Sequence, residues 1–106
     1  MEERRSALNL RISTARVSLL ALGLENFAVE IIRHVLQGGV LDEASFASIK
    51  AASVKNMMNF DSSELPVDRQ IEIFKQAVVD LEKFIDDAIE KGRQSKIAAF
   101  ERTRHP

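Results

Sequence analysis

With 106 residues, the chain is long enough to bury one core and too short for separate cofactor and substrate domains. Hydrophobic residues at 45% and charged residues at 29% exclude a wholly disordered chain, and the lack of Cys excludes disulfide frameworks, thiolate metal sites and thiol catalysis. Trp and Tyr are missing too, which removes most of the aromatic platform on which single-stranded nucleic acid stacks, and the formal net charge of −1 conceals an acidic stretch from Asp61 to Glu90 between basic ends.

Residues 3–22 read as a helix with two apolar stripes. Leu8, Ile12, Ala15, Leu19 and Leu22 form the first at steps of four and three. Leu10, Val17, Leu20, Ala21 and Leu24 form the second, nearly opposite, with Arg16 on one flank and Arg11, Thr14 and Ser18 on the other. A helix apolar on two faces must bury both. Either it runs through the middle of the bundle or one face meets a second copy of the chain, with Leu10, Val17, Leu20 and Leu24 as the candidate interface.

Gly23 is free to take positive φ, Leu24 is placed to supply a C-terminal cap contact, and Asn26 can cap a new helix, so a break or sharp bend is predicted there, the alternative being one continuous helix through Gly23 at a cost of roughly 1 kcal/mol. A second helix then spans 26–37, with Phe27, Ile31, Ile32, Val35 and Leu36 on a wide apolar face, and Gly38-Gly39 ends it. The third helix, 43–60, has the clearest start: Asp42 as N-cap, Glu43 in the first turn, and Leu41 placed to pack on Phe46. Small residues in its middle invite a close neighbour.

Asp61 to Pro66 reads as a loop, and a fourth helix spans 66–91. Its apolar residues, from Val67 through Ile71, Phe74, Val78, Leu81 and Ile85 to Ile89, cover an arc too broad for one contact, so it should touch more than one neighbour. Gly92 is expected to stop it. Beyond, Ile97 and Phe100 share one side of a short helical turn within a basic, frayed tail.

The expected fold is thus all-α: an antiparallel bundle of about four main helices, with residues 1–91 as one domain and 92–106 as the tail. The opening Met1-Glu2-Glu3-Arg4-Arg5 leads into polar-interrupted sequence without the apolar core of a signal peptide, and no apolar run is long enough for a bilayer. A cytoplasmic protein without a membrane partner is expected.

Glu30 and His34, four apart, form the one carboxylate and imidazole pair with good helical geometry, yet a helical metal site needs further inward carboxylates. Glu82, Asp86 and Glu90 fall on a solvated face, where nothing raises a carboxyl pKa for acid chemistry. No serine has the setting of a nucleophile, Gly38-Gly39 lacks the sequel of a phosphate loop, and His105 lies one residue from the end. Catalysis, a metal and a cofactor are all unexpected.

What is expected is a non-enzymatic interaction or regulatory module, self-associating as a homodimer and binding another protein of unknown identity. An alternative is a small DNA-associated regulator whose basic ends meet phosphates: Arg4, Arg5, Arg11 and Arg16, or Arg93, Lys96, Arg102 and Arg104. Nucleic acid is not favoured, because Asp42 and Glu43 open the third helix where a recognition helix would meet DNA. A further alternative, an apolar ligand held within the bundle, rests on Met57, Met58 and the Glu30/His34 pair.

Overall fold

In the computed structural model, which describes residues 2–104 and the side chains of residues 3–102, the chain folds as three helices rather than four. They are α1 (Glu2–Leu36), α2 (Glu43–Met57) and α3 (Val67–Arg104), and no strand occurs among the described residues. Asn26 of α1 meets Ser53 of α2, Gly23 meets Met57, and Arg16 pairs with Asp80 of α3, so the helices run up, down and up. Both α2 and α3 lie along α1 and touch each other at fewer places. The Cα envelope is a slab of 68 × 29 × 17 Å.

The predicted break at Gly23 is absent, because the glycine serves a close approach and not a cap. A Cβ there would lie 2.9 Å from Leu81 Cδ2 and 2.9 Å from Met57 Sδ. Only a residue without a side chain lets α2 and α3 converge on α1 at this level. The first two expected helices are consequently one, and the asparagine expected as a cap donates instead from Nδ2 to Ser53 Oγ at 3.4 Å.

α1 ends where Gly38-Gly39 predicts. Gly38 takes φ +80°, its N–H donates to Val35 O, and the Gly39 N–H donates to His34 O, so orphan carbonyls of the last turn are satisfied. α2 opens with the expected cap. Ser45 N–H donates to Asp42 Oδ1 at 2.8 Å while the Asp42 N–H donates to Ser45 Oγ at 2.8 Å, closing a reciprocal box. These bonds hold the Asp42 carboxyl below its ordinary pKa, with the nearby His34 ring adding a smaller effect in the same direction.

α2 stops at Met57, three residues short of the predicted end. The N–H groups of Met58, Asn59 and Phe60 bond back three residues instead of four, tightening the chain into a turn. The loop then turns on Asp61, whose Oδ1 accepts from Ser63 N–H, and sends Leu65 into the core.

Gly92 does not stop α3 either, and the expected frayed tail is helical to Arg104. Glu90 bridges the glycine to both Arg93 and Gln94, and the residues beyond it are good helix formers, so a penalty of about 1 kcal/mol is outweighed. His105 lies outside the described residues.

The core holds Ala15 and Leu19 of α1, Met57 of α2, Leu65 of the loop, and Ile73, Ala77, Leu81 and Ile85 of α3. The α3 members step by four, one ridge laid against α1. Each large aliphatic side chain removed from water here contributes roughly 1.5–3 kcal/mol. The broad arc expected of α3 is only partly buried, since Ile71 and Phe84 remain exposed while Phe74, Val78 and Ile89 pack against the core edge.

Candidate interaction surface

The first stripe of α1 is the inner one: Ala15 and Leu19 are buried, and Leu8, Ile12 and Leu22 are half-buried. The second stripe is therefore left outside by the packing of α2 and α3. Leu10 is 69% exposed and Val17 66%, and Ala21 and Ala28 are exposed beside them. Ile32 (59%) and Val35 (50%) extend the same side toward the end of the helix. No charged residue interrupts the face at Leu10, Thr14, Val17, Ala21, Leu24, Ala28, Ile31 and Val35, which lie at alternating steps of four and three.

Of the predicted interface residues, Leu10 and Val17 stand free on this face. Leu20 and Leu24 are half-buried and pack against the core, so they form its wall on the α3 side. Continuity through Gly23 adds what the sequence did not reveal. With a break there, Ala28, Ile31 and Val35 belong to another element; in a continuous helix they prolong the stripe by more than two turns.

A second apolar region lies where the far end of α1 meets α2 and α3. Phe27, Ile31, Leu41, Phe46, Ile85 and Ile89 line an open cleft of 620 Å³, with Glu43, Arg93 and Lys96 at its rim. Leu41 and Phe46 share this cleft, as expected of the pair flanking the α2 cap. Arg93 reaches Glu43 at 3.2 Å and Glu90 at 3.7 Å, so its charge is directed into the protein's own carboxylates. Arg102 is exposed farther along α3, and the Arg104 side chain lies outside the described residues. Arg93 and Lys96 thus share the rim of this cleft, while Arg4, Arg5, Arg11 and Arg16 are exposed on α1.

The remaining candidates separate in the same way. Glu30 pairs with Arg33 at 2.7 Å, and His34 Nε2–H donates to Val40 O at 2.8 Å, clasping the turn after α1; the expected Glu30/His34 pair does not form. Met57 is buried at the convergence of the three helices while Met58 is exposed, and both line an open cleft of 530 Å³ together with Leu19, Phe60, Ile71 and Phe74. No group of three His, Asp or Glu side chains among the described residues is arranged to hold a metal ion. No helix among them is long and apolar enough to cross a membrane.

Arg16 of α1 meets the carboxylate-rich part of α3 that precedes Lys91. Arg16 donates through Nε and Nη2 to both oxygens of Asp80, at 2.8 and 3.0 Å. That fork lowers the Asp80 pKa and raises that of Arg16. Lys50 to Asp86 at 3.3 Å adds a looser tie between α2 and α3. Comparison with known protein families, curated proteins and solved structures gave no match.

Proposed function

We propose that the chain is a non-enzymatic interaction module that works through the outer face of α1 and associates with itself. The supporting observation is the exposure of Leu10 and Val17 on a charge-free stripe running nearly the length of a continuous helix. Scattered surface leucines need no explanation, but a contiguous apolar band at one helix-packing period on one side of the molecule favours a partner helix. Neither the cleft beside Phe46 nor the ion pairs on α3 assembles groups suited to bond-making chemistry.

Sedimentation equilibrium from one to one hundred micromolar tests this reading. The native chain is expected to sediment as a dimer in this range, and the variant with Leu10→Lys and Val17→Lys as a monomer with an unchanged far-ultraviolet circular dichroism spectrum. Both side chains are exposed, so their replacement spares the internal core. A native chain that is monomeric throughout the range would refute self-association.

A further inference from the structure

The outer face of α1 carries more information than its apolarity. Its positions fall into two interleaved seven-residue series of different size. Leu10, Val17, Leu24 and Ile31 form the larger series, whereas Ala7, Thr14, Ala21 and Ala28 are smaller, that second series ending on the larger Val35. Leu10, Val17, Ala7, Thr14, Ala21 and Ala28 are exposed, while Leu24, packed against the core edge, and Ile31, at the lip of the cleft with Phe46, are half-buried and offer the seam only their outer sides. We infer that a second copy of the chain docks here with its α1 antiparallel to the first, centred between Val17 and Ala21. This inference rests on the self-association reading and specifies its geometry.

Size matching carries the argument. In an antiparallel pair of seven-residue seams, each position of one series faces a position of the other. Centred as stated, Leu10 meets Ala28 of the second copy, Thr14 meets Leu24, Val17 meets Ala21, and Ile31 meets Ala7. Every layer then joins one large side chain to one small one, which fills space evenly along about 36 Å of helix. A parallel pair would set alanine against alanine and leucine against leucine, alternating voids with crowding. Shifting the antiparallel pair by seven residues toward the N-terminus discards layers, and shifting it the other way brings Leu10 against Val35, two large residues.

Charge points to the same arrangement. Beside the seam, Arg11 and Glu25 sit on one flank at positions symmetric about Ser18. The antiparallel fit places Arg11 of each copy within reach of Glu25 of the other, closing two ion pairs related by the two-fold axis. In a parallel pair the same groups lie about 21 Å apart along the axis. Neither takes part in an ion pair within the described residues of the chain, so both are available. The other flank is occupied by Leu20 and Phe27, which already pack on the core.

Because the chain has no native Cys, disulfide trapping reads the orientation directly. Leu10→Cys and Ala28→Cys are made singly and together and oxidised with copper phenanthroline. The two positions are about 27 Å apart on one helix, so they cannot close within a chain. The double variant is expected to convert mostly to covalent dimer while each single variant stays monomeric on a non-reducing gel. A single variant that links to its own copy as fully as the double variant would establish a parallel seam and overturn the inference. A dimer in sedimentation that neither the single nor the double variants trap would place the contact elsewhere and overturn it too, leaving self-association intact. A monomer in sedimentation would instead remove the reading beneath it.

Charge exchange provides a second test that spares the core. Arg11→Glu is expected to weaken the dimer roughly tenfold, and adding Glu25→Arg to the same chain to restore it. Weakening without restoration would overturn the pairing.

Discussion

The two glycines inside helices have opposite surroundings, and replacing each by alanine separates helix propensity from packing. Gly92 has no atom within 4 Å of the place a Cβ would take, so Gly92→Ala should collect the propensity gain of about 1 kcal/mol. At Gly23 the same gain applies, but the new methyl would stand 2.9 Å from both Leu81 Cδ2 and Met57 Sδ and 3.2 Å from Met57 Cγ. Leu81 and Met57 are themselves enclosed, so they yield at an overpacking cost of about 1–3 kcal/mol. Subtracting the common gain, Gly23→Ala should range from neutral to about 2 kcal/mol destabilising. It should fall about 1–3 kcal/mol below Gly92→Ala. Urea unfolding followed by circular dichroism measures both, since the chain has no Trp or Tyr for fluorescence. Protein concentration must be held fixed, because the proposed self-association would shift the midpoint by mass action. If Gly23→Ala proved as stable as Gly92→Ala, the three helices would not converge at that glycine and the account of α1 would be wrong.

Other substitutions distinguish neighbouring residues. Met57→Ala should cost about 2–5 kcal/mol, whereas Met58→Ala, next in sequence and 70% exposed, should stay within about 0.5 kcal/mol of the native chain in the same unfolding measurement. Asp42→Ala should lower the urea midpoint and Asp42→Asn should retain most of it, because asparagine also caps a helix. The Asp42 and Asp80 carboxyls have folded pKa values below their ordinary value of 3.8, so their stabilising contribution is complete above that pH and is lost as pH falls through the folded values. An acid titration should therefore be flatter at its low-pH limb for Asp42→Asn and Asp80→Asn than for the native chain. The Asp80 effect should shrink in high salt, since its partner Arg16 is substantially exposed.

The inner stripe of α1, the Asp42 cap and the Gly38-Gly39 stop were all legible because each depends on local spacing or on one residue's conformational range. The number of helices was not. A glycine within an apolar run has two uses, a left-handed cap or a close approach, and only the positions of Met57 and Leu81, remote in sequence from Gly23, decide between them. Gly92 misled for a different reason, as the Glu90 bridges across it involve side chains whose pairing the pattern alone did not rank. Leu65 was hidden by its setting, a buried residue in a segment whose serines and proline mark a loop.

For the outer surface, composition and spacing identified Leu10 and Val17, both of which stand exposed. Leu20 and Leu24 are half-buried and pack against the core edge, a division between inner and outer contacts that spacing alone does not give. The alternation of large and small residues emerged only when the helix was seen to continue past Gly23, since it needs Ala28 and Ile31 in the same frame as Leu10.

A slab 17 Å across in its thinnest direction has little interior to spare. On the proposed self-association, a second copy covering the open side of α1 adds apolar burial to the same helix that α2 and α3 use as their floor. Scarcity of the chain would then loosen the monomer itself, making abundance in solution a determinant of how long each molecule survives unfolding and proteolysis.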